Sequence, residues 1–419
     1  MIHVHARTTC RSCGSGYLSP VLSLGNHCVS NFVETTEETP KAPLELVLCD
    51  ARRGGCGLLQ LWHTVEAGFL YRNYWYRSGV NPSMRLALAD ITANVERLVR
   101  LAPGDIILDI GSNDGTLLRS YTTQGLRLVG FEPATNLMPY AQDGTTAVIN
   151  DFFTIERFQK MFGNVGAQVI TSIAMFYDLE DPNTFVADVG ACLDPEGIWI
   201  IQMSYLPSML TQNAFDNICH EHLEYYSLLS LRVLLERHKL RIIDVTVNDV
   251  NGGSFRVAIT HDRNTSIAPP PGAADRMQRL ESREKQLHLD DERAYRAFAE
   301  RVERRKEQVT RFIRAEGAKG KTVYVYGAST KGNTLLQYFQ LDHTVIRAAS
   351  ERNPDKWGKR TVGTLIPIIS EEQARSERPD YFLVLPWHFL TEFREREKAF
   401  FASGGKFIVP LPHFQVLGG

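Results

Sequence analysis

Missing from this 419-residue chain is any run of about 18 apolar residues, which rules out a helical membrane span. A surplus of one charge is missing as well: 46 Lys and Arg against 48 Asp and Glu leave a net charge of −2. No global field therefore draws in nucleic acid or an anionic membrane. Short-period repeats and low-complexity tracts are absent, which excludes a solenoid. The opening "MIHVHARTTCRSCG" lacks a basic start followed by an apolar run, and the expectation is a cytoplasmic protein. Cysteine is scarce, at seven, and in that compartment thiols serve as metal ligands or core residues more often than as disulfides. What is present is globular, with 43% hydrophobic, 10% aromatic and 22% charged residues. That length suggests two or three domains whose partners are small molecules or other proteins, with the choice between monomer and homo-oligomer left open.

Cys10, Cys13, Cys49 and Cys56 cluster in a turn-rich N-terminal segment too small to bury a sufficient core alone. "RTTCRSCGSG" is a C-x-x-C knuckle, and "LCDARRGGCG" is a second pair with a longer insert that can loop out. Four thiolates converging on one tetrahedral ion predict a structural zinc site in a small β-rich domain over residues 1–65. The competing reading is a metal-free module with buried thiols. Cys28, between the pairs, reads as packing.

Next, Leu86, Leu88, Ile91, Val95, Leu98 and Val99 recur at helical spacing, after which the pattern changes. Ile106, Ile107, Leu108 and Ile110 form an apolar run ended by glycines, a buried parallel strand with a helix expected from about Thr116. "LRLVGFEPA", "GAQVITSIAMFYDL", "EGIWIIQMSYL", "LRIIDVTVND" and "GGSFRVAIT" continue an α/β alternation, so a doubly wound, Rossmann-like domain is expected over 66–265. A Pro-rich linker and a charged helical stretch fill 266–320, with Phe298, Val302, Val309 and Phe312 as the packing stripe. "KTVYVYGASTKGNTLLQYF" restarts the theme as a smaller α/β domain over 321–419.

"LDIGSNDGTLL" resembles the first motif of class I methyltransferases that use S-adenosylmethionine. Gly111 and Gly115 let the chain turn close to a ligand at the strand's carboxyl end, while Asp109 and Asn113 can reach polar groups of an amino acid. Glu132 ends the following strand, where a carboxylate accepts hydrogen bonds from ribose hydroxyls, and Asp151 with Phe152 is placed to meet the adenine. NAD is the rival ligand. Its G-x-G-x-x-G signature is missing, and Asp114 beside the turn would repel a pyrophosphate, whereas a sulfonium carries no phosphate.

"FDNICHEHLEYYS" follows a later strand on the ligand-binding side of the sheet. His220, Glu221 and His222 there suit general acid–base work, an imidazole of near-neutral pKa oriented by a carboxylate. A metal held by His220, His222 and Glu224 is an alternative, but H-E-x-x-H is absent. Cys219 reads as lining rather than as a nucleophile. Arg256, in "NGGSFRV", either contacts a phosphate or anchors the fold. The "YGASTKGNT" turn, with Ser329, Lys331 and Asn333, either holds the acceptor's diphosphate or only closes the cleft.

The four cysteines, "ILDIGSNDGTLL", "HEHLEYYS", "GGSFR" and "VYGASTKGNTLLQ", in that order across nearly the whole chain, resemble the C-methyltransferases that act at C3 of nucleotide-linked 4-keto-deoxyhexoses. The resemblance implies an N-terminal zinc module, a cofactor domain and a C-terminal α/β domain around a keto-sugar, with His222 as base, Glu221 as its partner and Tyr76 in the active site. Cys219 stands where the family usually has tyrosine, and Tyr177 with Asp178 stand where many members have histidine. Both departures touch the reaction chamber. The alternatives are an O- or N-methyltransferase and a catalytically silent zinc-bearing binding protein.

Overall fold

The computed structural model describes residues 3–29, 32–34 and 39–418. Near the N-terminus Leu18–Cys28 (β1), Lys41–Cys49 (β2) and Leu59–Leu61 (β3) form an antiparallel sheet. Pro82–Leu98 (α1) starts with Asn81 capping the Ser83 amide and Pro82 in the first turn. Its buried stripe is Leu88, Ile91, Thr92 and Val95, whereas Leu86, expected inside, is 74% exposed because it lies on the opposite side of the helix from Leu88.

Ile106–Ile110 (β4), Arg127–Phe131 (β5), Ala147–Ile149 (β6), Ala167–Ile173 (β7), Leu193–Ser204 (β8), the two-residue Glu224–Tyr225 (β9), Leu240–Asn248 (β10) and Ser254–His261 (β11) follow. All but β9 form one sheet in the order β10-β11-β8-β7-β4-β5-β6. Only β11 runs antiparallel to its neighbours. β4 is buried along its whole length, as its apolar run requires. The helix expected from Thr116 shrinks to a single 3-10 turn at Leu118–Ser120. Thr122 and Thr123 leave it there to give their amides to Glu96 of α1 (2.9 and 2.8 Å).

Leu228–Arg237 (α2) begins at Ser227, whose hydroxyl and that of Ser230 cap each other's amides. The stretch expected to be linker and helix contains Ala273–Gln286 (α3) and Glu292–Ala318 (α4). Along α4 the buried stripe is Phe298, Val302, Val309 and Ile313. Phe312, expected in that stripe, is half-buried and meets Tyr381 and Phe414 edge-on. The C-terminal sheet is built from Val323–Tyr326 (β12), Ala349–Glu351 (β13), Ile368–Ser370 (β14), Tyr381–Val384 (β15), Lys406–Val409 (β16) and Gln415–Leu417 (β17). Its order is β14-β13-β12-β15-β16-β17, parallel except for the last strand. Thr330–Phe339 (α5) follows the first of these strands.

The parts interlock. β9 leaves the central sheet and pairs antiparallel with β3, and Phe32–Val33 pairs with Arg360–Thr361. Leu206, Met209, Phe215, Ile218 and Leu223 join one continuous core with β1 to β3, α4 and the C-terminal sheet. The loop expected to carry the chemistry is therefore rooted in packing that all parts of the chain share.

Candidate active site

A cleft of about 640 Å³ lies between the carboxyl ends of β4, β5 and β7 and the turn after β12. One end of it is built on the glycine turn. Gly111 has φ of 75°, and a Cβ there would stand 3.1 Å from Cγ of Met175. Gly115, also at 75°, would set a Cβ 2.9 Å from the carbonyl oxygen of Ala141. At Gly115 there is no room for a side chain, while at Gly111 the positive φ is what favours glycine. Glu132 accepts from the amides of Asn113 (2.7 Å) and Ala134 (2.8 Å), which locks the turn. Asp109 accepts from the Thr171 hydroxyl (2.6 Å). Burial pushes both carboxyls up to about 7.

Two residues differ from expectation here. The Asn113 side chain does not reach toward a ligand; it donates to the Tyr76 carbonyl (3.0 Å) and accepts from the Ser78 amide (2.9 Å). Asp114 accepts from the Gly79 amide (2.8 Å) and the Thr116 hydroxyl (2.6 Å) instead of facing the cleft. Together they clasp the 76–80 segment over the site. Asp151 is paired with Arg72 (2.8 Å) and Arg157 (2.7 Å), and Arg72 also lies over the Phe152 ring (5.0 Å). Among the described residues neither buried carboxyl has an ion-pair partner, which fits a ligand bearing a sulfonium and an ammonium. Replacing Glu132 by alanine is expected to weaken S-adenosylmethionine binding about 10- to 150-fold by calorimetry, the worth of about 1.5–3 kcal/mol per hydrogen bond to a charged group.

The opposite wall is the 215–223 loop. His222 is buried, with Nδ1 2.7 Å from the Asn217 carbonyl and its ring against Tyr177 (4.4 Å between centroids). A carbonyl only accepts, so the proton sits on Nδ1, and Nε2 keeps its lone pair with no hydrogen bond to it among the described residues. The near-neutral pKa expected for this imidazole is not found: burial and the Lys331 ammonium depress it to about 3. His222 is neutral throughout the physiological range. The carboxylate brace expected from Glu221 is replaced by that backbone carbonyl. Glu221 instead stands 3.5 Å from the Tyr74 hydroxyl and is pushed up to about 7 by burial.

His220, expected beside the chemistry, turns the other way. It meets the Ala42 carbonyl of the N-terminal sheet (3.0 Å) and is depressed to about 4 by burial. The tight turn at 219–222 sends neighbouring side chains to opposite sides. Cys219 lines the cleft as a neutral thiol, raised by burial. Tyr76 and Tyr177 also line it, Tyr177 buried and Tyr76 45% exposed.

From the C-terminal part, Lys331 reaches the cleft and donates to Oδ1 of Asn217 (2.6 Å). Ser329 caps α5 through the Gly332 amide (3.0 Å). Asn333 is buried in α5 away from the cleft wall. Arg256, also off the wall, is held by Gln202 (3.0 Å) and Asp90 (2.8 Å), so it anchors β11 to β8 and α1. Residue-level reasoning passed over Tyr71, Tyr74, Asn217 and Arg352. The "YRNYWYRSG" run signalled the tyrosines, and Arg352, just past β13, sits where the strand-end rule would have found it.

At the N-terminal metal site Cys10 and Cys56 lie 3.6 Å apart and Cys13 and Cys49 3.5 Å apart, with all four sulfurs within 4.8 Å of one another. A tetrahedral zinc with bonds of about 2.3 Å sets sulfurs about 3.8 Å apart, so the donors fit. The long insert loops out as a 3-10 turn at Ala51–Arg53, and the Gly57 amide returns to the Cys49 carbonyl (3.0 Å).

Family comparisons agree with this geometry. A zinc-binding domain model matches residues 10–71, a methyltransferase domain model 84–245, and a C-methyltransferase C-terminal domain model 249–412. The C-methyltransferase NovU of Streptomyces niveus is 35% identical over 418 residues, spanning 97% of this chain and 96% of that one. Solved structures match over part of the chain. The plantazolicin methyltransferase BpumL, in complex with SAH, has a TM-score of 0.35 and 16% identity over 43% of this chain and 85% of its own. The mitomycin 7-O-methyltransferase MmcR also has 0.35 and 16%, over 43% and 55%. No helix among the described residues is long and apolar enough to cross a membrane. The chain belongs to the C-methyltransferase family: it is an S-adenosylmethionine-dependent methyltransferase with a four-cysteine zinc-binding domain at its N-terminus.

Proposed function

We propose that the acceptor is a nucleotide-linked keto-deoxysugar, and that His222 removes a proton from the carbon beside its carbonyl to give an enolate that takes the methyl group. The observation that carries this reading is that His222 lines the cleft beside Gly111 and is pinned through Nδ1, with no hydrogen bond at Nε2 among the described residues. S-adenosylmethionine, when bound, supplies the methyl as an electrophile. The chain's residues do the rest: they orient the sugar, exclude water and move one proton. Burial disfavours the imidazolium on its own but favours it once an enolate charge forms close by, because the two then pair in a low dielectric.

Nucleotide linkage is supported by the second α/β part. Glu351 at the end of β13 accepts from the amides of Ala328 (2.9 Å) and Asn353 (2.8 Å), repeating the way Glu132 locks the glycine turn. Arg352, beside it, lines the cleft with no ion pair among the described residues, and a guanidinium there suits a diphosphate. The Arg352→Ala variant is expected to raise KM for the sugar nucleotide about 10- to 150-fold while kcat changes little, since a bidentate phosphate contact is worth about 1.5–3 kcal/mol. An intact-mass screen of nucleotide keto-sugars with S-adenosylmethionine tests the acceptor. Incubation with S-adenosylhomocysteine in deuterium oxide tests the enolate. Exchange at the carbon beside the carbonyl supports it; methyl transfer to oxygen or nitrogen without exchange refutes it.

A further inference from the structure

We infer that Cys219, Glu221 and His222 form a second metal site, inside the cleft, which takes a zinc ion and holds the enzyme inactive while the ion is bound. The inactivation rests on the reading of His222 as the base; the site rests on the arrangement of the donors. The Cys219 sulfur, a Glu221 carboxylate oxygen and a His222 ring nitrogen all lie within 4.8 Å of one another, and all three residues are buried. Nδ1 of His222 is given to the Asn217 carbonyl (2.7 Å), so the donor left to it is Nε2. A metal-bound imidazole is ordinarily held in this way, its other nitrogen donating to a carbonyl or carboxylate. Among the described residues the Glu221 carboxylate takes one hydrogen bond, from the Tyr74 hydroxyl at 3.5 Å, which leaves it lone pairs for a cation. The set weighed from the sequence, with His220 and Glu224, is not the one the fold assembles, because His220 is turned to the Ala42 carbonyl.

Distance, charge and access all suit an ion in this corner. Bonds of about 2.0–2.3 Å set the ligands of a tetrahedral zinc about 3.3–3.8 Å apart, a spacing that rotation of the Cys219 and Glu221 side chains reaches. One thiolate and one carboxylate cancel the two charges of the ion, so the filled corner is neutral, as a buried site requires. Lys331, the ammonium on the same wall, is engaged by Oδ1 of Asn217 (2.6 Å). All three donor residues line the cleft, which supplies a path of entry and a fourth coordination position. A mixed sulfur, nitrogen and oxygen set favours zinc or cobalt over magnesium, which prefers oxygen ligands in octahedral array. As the ion enters, the thiol S–H bond breaks, its proton passes to solvent, and the electron pair it leaves forms the sulfur–metal bond. Zinc stays divalent and nothing is oxidised. The Nε2 lone pair is then committed to the metal and cannot accept a proton from the acceptor's carbon.

The test uses the full-length enzyme with zinc at the four-cysteine centre. Cobalt(II) should bind as one further equivalent per chain and give a thiolate-to-cobalt charge-transfer band in the difference between wild type and Cys219→Ala, both of which keep that centre. Saturating zinc should lower wild-type turnover about 10²- to 10⁴-fold, as loss of the base does, whereas magnesium should not. In Cys219→Ala the zinc needed for half inhibition, taken against the variant's own rate, should rise by at least about 10- to 100-fold. Cys219→Ser, equal in size, serves if alanine disturbs the packing. Equal cobalt spectra in wild type and both variants, or equal zinc inhibition in all three, overturn the site. A cobalt band that depends on Cys219, with turnover and deuterium exchange unchanged by zinc, establishes the site and overturns the base role of His222 together with the inactivation that depends on it.

Discussion

Replacing His222 with alanine is expected to lower kcat by about 10²- to 10⁴-fold, the usual worth of a positioned general base, and to abolish deuterium exchange into the acceptor. Binding of S-adenosylmethionine, measured by calorimetry, should be unaffected if the cofactor sits, as proposed, on the glycine turn with Glu132 and Asp109, whose own bonds do not involve this loop. The size of the effect follows from geometry. The Asn217 carbonyl fixes the Nδ1 tautomer, Tyr177 holds the ring plane, and Lys331 fixes Asn217 in turn. With the imidazole depressed to about 3, its protonation does not limit the rate above about pH 4. An acid limb near neutrality that vanished in His222→Ala would contradict this assignment.

Loss of the zinc site should be the other large effect. Cys49→Ser is expected to remove one equivalent of zinc per chain and to lower Tm by roughly 5–10 °C, from about 2–4 °C per kcal/mol in a domain of 150–250 residues. Structural zinc commonly supplies more than the marginal stability of the module that binds it. Activity should fall with it although the metal is not placed in the chemistry. The Leu61 amide bonds the Leu223 carbonyl (2.8 Å), β9 pairs with β3, and His220 is tied to Ala42. The N-terminal sheet thus forms one wall of the loop that carries His222. Hydrogen exchange should show amides 219–225 losing protection together with those of β3. Unchanged protection at 219–225 in a zinc-free variant that remains folded would break the link.

His220 shows where local reading stops. In the sequence it is as good a candidate as His222, since both flank Glu221 at the end of a strand. The backbone turn sends one imidazole to the N-terminal sheet and the other to the cleft. Asn113 and Asp114 teach the same lesson. Their types and positions matched a ligand-binding turn, yet the 76–80 segment reaches them first. Arg256 had two readings, and Asp90 and Gln202 decide for the anchor.

By itself the sequence determined what depends on local pattern: the four-cysteine set, the glycine turn with an acid at the end of each of its two strands, the alternation that builds two α/β units, and a titratable loop at the ligand-binding end of the sheet. Those features need only spacing, strand period and backbone freedom. Tertiary structure alone decided which imidazole faces the cleft and which side chains are spent on clasping a loop. A buried polar group takes its partner from whatever distant segment packs against it, as Lys331 does in reaching Asn217 across 114 positions of sequence.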